Sequence, residues 1–208
     1  MKARAAAAVL CALVLALLAG CTDTVAIKVQ SQVPQALVDR LPVTIGVWYD
    51  PAFRGYVYRE DSEERKDWSI DTGESQVATF EKVLGSMFER VVPVAGPPPA
   101  AGVDAVLVPS IEEAQFSTPQ ETRLGFYEAW FKYRLKLYQP DGALIGEWFL
   151  TAYGKSEPEF MRSADDAFTA AVQMALRDVG AKLTTGFASL PEVKAWLDGH
   201  AQPAGTSS

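Results

Sequence analysis

The stretch FYEAWFKYRLKLYQPDGALIGEWFLTAYGK, residues 126–155, decides the fold. Inward and outward side chains alternate along residues 127–138, which is the period of a strand with one face in a core and one in water. One face carries Tyr127, Ala129, Phe131, Tyr133, Leu135 and Leu137, and the other carries Glu128, Trp130, Lys132, Arg134, Lys136 and Tyr138. Pro140-Asp141-Gly142 has turn chemistry, because proline presets φ and glycine accepts a positive φ. Residues 126–154 are therefore predicted to form a long antiparallel hairpin.

Three other stretches have the composition of strands. VTIGVWY, residues 43–49, alternates with a period of two, and RGYVYRE, residues 54–60, predicts a shorter strand. DAVLVPSI, residues 104–111, is apolar enough for a buried strand that continues past Pro109. The charged run at 60–71 and the proline-rich run at 96–102 are predicted to be loops.

Two stretches have the period of amphipathic helices. Apolar residues at spacings of three and four predict a helix over about 72–90, with Asp71 to Glu74 as its capping box. A second stripe predicts a helix over about 164–187, begun by SADD at 163–166. A short helix follows Pro191 and ends at Gly199.

This order of elements predicts an α+β domain. We expect a two-layer sandwich: a mostly antiparallel sheet of four to five strands, two long helices on one face, and a short C-terminal helix. A strand that directly follows a helix is expected to pair in parallel with an earlier strand. The sheet face away from the helices would expose Trp130, Lys132, Arg134 and Lys136.

The N-terminus has the three parts of a secretory signal. Lys2 and Arg4 precede an apolar run of residues 5–19 that ends in small residues. This run is shorter than the roughly 20 residues that span a bilayer. Two simpler interpretations are open, an uncleaved anchor and a plain signal that a cysteine follows by chance.

Leu18-Ala19-Gly20-Cys21 resembles the lipobox of bacterial lipoproteins at all four positions. The resemblance implies cleavage before Cys21 and acylation of Cys21, which would anchor the protein to a membrane. In that family an aspartate after the cysteine retains the protein in the inner membrane, and here Thr22 implies the outer membrane. The predicted divisions are a signal peptide at 1–20, a lipidated tether at 21–41, one periplasmic domain at 42–199, and a disordered tail at 200–208.

Charge and residue usage exclude several classes of function. The signal holds two of the 19 basic residues and none of the 26 acidic ones, so the mature chain carries a net charge of −9. Such an acidic domain is a poor partner for nucleic acid. His200 is the chain's one histidine, which excludes a core Ser-His-Asp or Cys-His system and an ordinary zinc site. Cys11 lies in the predicted signal, so no intramolecular disulfide is predicted. No cofactor is predicted either.

The order of elements is similar to that of small envelope lipoproteins of Gram-negative bacteria, including the one that plugs the lipopolysaccharide-assembly barrel and the activators of penicillin-binding proteins. The predicted location, the lack of catalytic residue types and the aromatic-rich surface favour a non-catalytic accessory subunit of an envelope assembly, transport or synthase complex. Trp130, Arg134 and Tyr138 are the candidate partner contacts, because Trp and Arg dominate interface hot spots.

Two alternatives remain open. The aromatic core could line a pocket for a lipid or small ligand between the helices and the sheet. Paired carboxylates could hydrolyse a glycosidic bond, although each is more simply a solvated residue, and we expect no enzyme. The carboxylates on or beside strands are Asp50, Glu112, Glu113, Glu128 and Glu147.

Overall fold

The computed structural model describes residues 25–35, 37–60, 68–156 and 163–201. Their strands are β1 (Val25–Lys28), β2 (Leu41–Val47), β3 (Val57–Glu60), β4 (Trp68–Asp71), β5 (Phe88–Pro93), β6 (Ala105–Ser117), β7 (Tyr127–Tyr138) and β8 (Leu144–Ser156). Their helices are α1 (Pro51–Arg54), α2 (Gly73–Met87), α3 (Pro119–Thr122), α4 (Ala164–Gly186) and α5 (Pro191–Ala201), with a 3₁₀ turn at Phe187–Ser189. The predicted α+β class is confirmed.

The main sheet has five strands in the order β5-β2-β6-β7-β8. β2 pairs in parallel with both of its neighbours, and β6, β7 and β8 pair antiparallel. The predicted hairpin is β7 and β8, and its turn places Gly142 at φ 98°, where glycine carries no steric penalty. The predicted strand that follows the first long helix is β6, and it pairs in parallel with the earlier β2 as expected. β5, which also pairs in parallel with β2, was not predicted.

The two long helices pack on one face of this sheet, as the sequence predicted. The ring of Phe80 in α2 lies 5.7 Å from that of Tyr133 in β7, and Phe168 in α4 lies 6.0 Å from Phe116 in β6. Both rings of the sheet residues belong to the buried face. The alanines of α4 allow a close approach, so that a Cβ on Gly154 of β8 would collide with the backbone of α4. The core therefore lies between the helices and the inner face of the sheet.

A second sheet of three strands, in the order β1-β4-β3, was not predicted. β1 lies in the predicted tether and pairs in parallel with β4, which lies in the predicted charged loop at 60–71. Ile27 and Ile70 are buried, and this burial of apolar surface stabilises both short strands. The loop prediction is therefore wrong for residues 68–71, and residues 25–28 of the predicted tether form a strand. Residues 61–67 lie outside the described part of the chain.

The first long helix is shorter than predicted. It ends at Met87, and Phe88 starts strand β5, because pairing with β2 outweighs the helical spacing of the apolar residues. The predicted capping box is also wrong: Asp71 belongs to β4, and Thr72 occupies the N-cap without a side-chain cap bond. The second predicted start is correct in its cap, since Ser163 accepts a hydrogen bond from the Asp166 N–H.

The last helix extends to Ala201, so His200 is helical rather than part of a disordered tail. His200 Nδ1 lies 2.9 Å from the carbonyl oxygen of Trp196, one helical turn earlier. Residues 202–208 of the predicted tail lie outside the described residues.

The middle of the outer edge of β8 is covered by α4. The Tyr153 N–H donates to Asp178 at 3.0 Å, and Lys182 donates to the Thr151 carbonyl at 2.8 Å. β2 and β7 both lie inside the main sheet, so neither strand has a free edge there. The main sheet can therefore offer a partner its β5 edge and its solvent-facing side.

Candidate functional site

The candidate site is the open face, which we define as the side chains of β6, β7 and β8 that point away from the helices. On β7 these side chains are each partly buried, in strict alternation with the fully buried core residues. Trp130, Arg134 and Tyr138, the predicted contacts, all lie on this face. At about 3.4 Å per residue, Trp130 and Tyr138 are about 27 Å apart along the strand, so they belong to separate regions of the face.

A β-bulge in β6 brings two consecutive glutamates toward β7. The register shifts between Ile111 and Glu113, so Glu112 is the additional residue. Glu113 lies opposite Lys132, and Glu112 accepts a hydrogen bond from Arg134 at 2.8 Å. A bulge re-aims side chains locally and so removes the strict alternation that a sequence pattern assumes.

Arg134 lies at the centre of an ion-pair network and does not extend freely toward solvent. Its guanidinium pairs with Glu112 at 2.8 Å and with Glu147 at 3.2 Å, and its Cζ lies 5.2 Å from the ring centre of Phe149. These contacts hold its planar donors in place. Arg134 therefore organises the middle of the open face, and a partner would have to compete with two carboxylates for it.

Trp130 lies in a shallow groove beside this network. The groove has a volume of about 310 Å³, and it is lined by Glu113, Gln115, Ser117, Glu128, Trp130 and Tyr153. Trp130 is the register partner of Gln115 on β6 and of Tyr153 on β8, so these three side chains form a row across the face. We call this the aromatic groove.

Tyr153 is the main residue of the groove that the sequence analysis did not single out. Its side chain is 45% exposed, and its hydroxyl donates to Glu128 at 2.7 Å. Partial desolvation and this bond to a carboxylate raise the pKa of Tyr153 to about 12. The Tyr153 hydroxyl therefore keeps its proton at neutral pH and donates it in the hydrogen bond to Glu128. The carboxylate oxygens remain the acceptors of the groove.

The other predicted residues are separated from the groove. Tyr138 lies at the turn end of the hairpin, opposite Val106 and Leu144. Nearby, the 96–102 loop is fixed to the hairpin turn, since the Ala100 N–H donates to the Pro140 carbonyl at 2.9 Å. Cys21, the predicted lipidation site, lies outside the described residues.

A second, apolar cavity of about 260 Å³ lies between β8 and the end of α4. It is lined mainly by Trp148, Phe149, Leu150, Leu183, Phe187 and Leu190, with Lys182 at its side. The sequence predicted a pocket between the helices and the inner face of the sheet, which is a different place. That space is filled by the buried rings of Phe53, Phe80, Phe131 and Tyr133.

Two further observations concern metal binding and membrane-crossing helices. Within the described ranges, no group of three or more His, Cys, Asp or Glu residues is placed to hold a metal ion. In the same part of the chain, no helix has the length and apolarity needed to cross a membrane.

The fold is similar to those of solved bacterial proteins. Protein XCC0632 from Xanthomonas campestris, of the family labelled DUF330, has a TM-score of 0.53 at 13% identity, over 85% of this chain and 99% of that one. An inferred lipoprotein from Caulobacter crescentus has a TM-score of 0.42 at 13% identity, over 77% and 93% of the two chains. Lipoprotein GNA1162 from Neisseria meningitidis has a TM-score of 0.35 at 12% identity, over 71% and 99%. No protein-family model and no curated sequence matches the chain. At these identities the likeness to XCC0632 shows a shared fold.

Proposed function

We propose that the protein is a lipoprotein anchored to the outer membrane through Cys21, and that its domain faces the periplasm as a non-catalytic accessory subunit of an envelope complex. The anchoring part of the proposal rests on the signal sequence and on Leu18-Ala19-Gly20-Cys21. A lipid-anchored protein is consistent with the absence of a membrane-crossing helix among the described residues.

The observation that carries the accessory role is the composition of the open face. Large aromatic side chains lie there among charged residues: Phe149 is 51% exposed and Tyr153 is 45% exposed, and Trp130 is half-buried beside them. Aromatic residues of this kind provide most of the binding energy of protein interfaces. The similarity of element order to accessory lipoproteins supports the same role.

The anchor is tested by metabolic labelling with radioactive palmitate. The wild-type chain should incorporate label and sediment with the outer-membrane fraction, and Cys21→Ala should do neither. Label in the Cys21→Ala chain would overturn the proposed anchor. Recovery of labelled wild-type protein in the inner membrane would overturn only the choice of membrane.

The accessory role is tested by site-specific photo-crosslinking in intact cells. A photoreactive phenylalanine analogue replaces Phe149 on the open face or, as the matched control, Met174, which is 49% exposed on helix α4. We expect one dominant adduct at position 149 and none at position 174. No adduct from the open face, or equal adducts from both positions, would contradict the proposal.

A lipid or small-ligand binding role is the second candidate, and the apolar cavity beside β8 favours it. Its volume of about 260 Å³ is below the range of roughly 300–1,000 Å³ that is usual for ligand pockets. A short aliphatic chain is the ligand class that fits such a lining. Native mass spectrometry of protein purified without denaturant should then show a bound mass that Leu183→Trp abolishes.

A further inference from the structure

From the aromatic groove we infer the chemistry of the partner: the groove takes an arginine or lysine side chain from the protein that docks on the open face. This inference deepens the proposed accessory function and rests on it. It is carried by the charge of the groove, by its hydrogen-bonding character and by the placement of the chain's own cations.

The groove contains two carboxylates that form no ion pair, although each lies opposite a lysine on the neighbouring strand, Glu113 opposite Lys132 and Glu128 opposite Lys155. Among the ion pairs of the described residues, Glu112 and Glu147 are joined to Arg134, while Glu113 and Glu128 have no cation within 4 Å. Glu113 is exposed, and Glu128 is half-buried and carries the bond from Tyr153. The ammonium groups of Lys132 and Lys155 lie over the rings of Phe149 and Phe126, so a partner that covered the carboxylates without bringing a positive charge would leave them without an ion pair, which is costly.

The two carboxylates of the groove are acceptors, and the rest of its lining adds donors from Gln115, Ser117 and the indole of Trp130. The carboxylate oxygens of Glu113 and Glu128 are hydrogen-bond acceptors, and the one hydroxyl proton of Tyr153 is already donated to Glu128. Lysine and arginine carry donors and no acceptors, so they match this surface.

The chain's own cations show that aromatic rings on this face attract positive charge. Lys132 Nζ lies 4.9 Å from the ring centre of Phe149, and Lys155 Nζ lies 4.4 Å from that of Phe126. In the described part of the chain, no cation lies over Trp130 or Tyr153. Since Trp is the best ring for a cation–π contact, this aromatic pair is the one left for a cation from outside.

The overall charge agrees with such a partner. The mature chain has 17 basic and 26 acidic residues, so its field attracts a basic surface and repels an acidic one. The partner segment is therefore expected to be basic as a whole, with one arginine or lysine in the groove.

The first test measures the cation preference directly. The probe is the peptide acetyl-Gly-Gly-Arg-Gly-Gly-amide, titrated into the protein while the indole N–H resonance of Trp130 is followed by NMR. The matched peptide has citrulline, which keeps the shape of arginine but is neutral. We expect the arginine peptide to bind about tenfold more tightly than the citrulline peptide, and the difference to vanish in Glu113→Gln/Glu128→Gln.

The control variant is Glu89→Gln, which removes an exposed glutamate on β5 and should keep the preference for arginine. Equal binding of the two peptides would overturn the inference. So would binding of a neutral oligosaccharide such as chitotriose at Trp130 with no response to the arginine peptide.

The second test separates this inference from the proposed function. In the photo-crosslinking experiment at position 149, Glu113→Gln/Glu128→Gln should reduce the adduct about tenfold, and Glu89→Gln should not. An undiminished adduct in the double variant overturns the basic partner and leaves the accessory role standing. No adduct in the wild type overturns the accessory role, and the peptide titration still decides whether the groove takes a cation.

Discussion

Gly154 is a position where a single added methyl group should strongly reduce stability. It lies on β8 directly beneath α4, and its Cβ would meet the carbonyl oxygen of Ala171, the nitrogen of Ala175 and the carbonyl carbon of Met174, all closer than 3 Å. Those atoms are helix backbone, so they cannot yield by changing rotamer. Gly154→Ala must therefore push the helix away from the sheet.

The expected decrease in the free energy of unfolding follows from the collision of this Cβ with the helix backbone. Overpacking costs about 1–3 kcal/mol where neighbouring side chains can adjust. Here the obstacle is rigid, so we expect the free energy of unfolding to fall by about 3 kcal/mol. For a domain of this size that corresponds to a decrease in Tm of about 6–12 °C. Urea denaturation of the soluble domain, followed by circular dichroism, measures the free energy.

The control is Gly85→Ala. Gly85 lies in helix α2, where an added Cβ meets nothing within 4 Å. Alanine has the higher helix propensity, so this variant should gain up to about 1 kcal/mol. A Gly154→Ala domain with a stability within 1 kcal/mol of the wild type would refute the close packing of α4 on β8.

Three further outcomes are expected. Ser163→Ala removes the bond that the Asp166 N–H donates to the cap of α4, and it should lower the free energy of unfolding by about 1 kcal/mol in the same denaturation assay. Tyr133→Phe removes a fully buried hydroxyl that has no hydrogen-bond partner among the described residues, and it should leave the free energy of unfolding unchanged or raise it by up to about 1 kcal/mol; a fall in the free energy of unfolding would reveal an unseen partner. The pKa of Tyr153 is raised to about 12 in the folded state, so its contribution to stability is complete below pH 10, its ordinary pKa, and is lost as the pH rises toward 12. Tyr153→Phe should reduce the loss of stability as the pH rises from 10 to 12. In an ultraviolet titration at 295 nm, the variant should lack the ionisation of one tyrosine near pH 12.

The hairpin was predictable because its pattern and its turn agree. The alternation along residues 127–138 and the turn at Pro140-Asp141-Gly142 specify the same pairing. The pairing of Trp130 with Tyr153 depends on register, and a bulge between Leu137 and Tyr138 shifts that register near the turn. The sequence thus indicated which face is open, and the structure determined which residues meet on it.

The small sheet could not be predicted for a physical reason. β1 and β4 have four residues each, too few for a period to stand out, and they lie beside polar runs. Their stability comes from pairing with each other across more than 40 residues of chain. Strand β5 illustrates the same limit, since Val91 fits the helical stripe of the residues before it but lies in a strand beside β2.

The covered edge of β8 has a consequence for how copies of the protein coexist. On a membrane, tethered domains share one orientation and meet often, which favours edge-to-edge pairing of strands and amyloid-like growth. Asp178 and Lys182 already occupy the backbone groups at Tyr153 and Thr151 that an incoming strand would need. At the opposite edge, β5 is short and carries Glu89, Arg90 and a terminal Pro93. Crowding on a bilayer would therefore concentrate these domains without exposing the middle of the long β8 edge, on which strands could otherwise add.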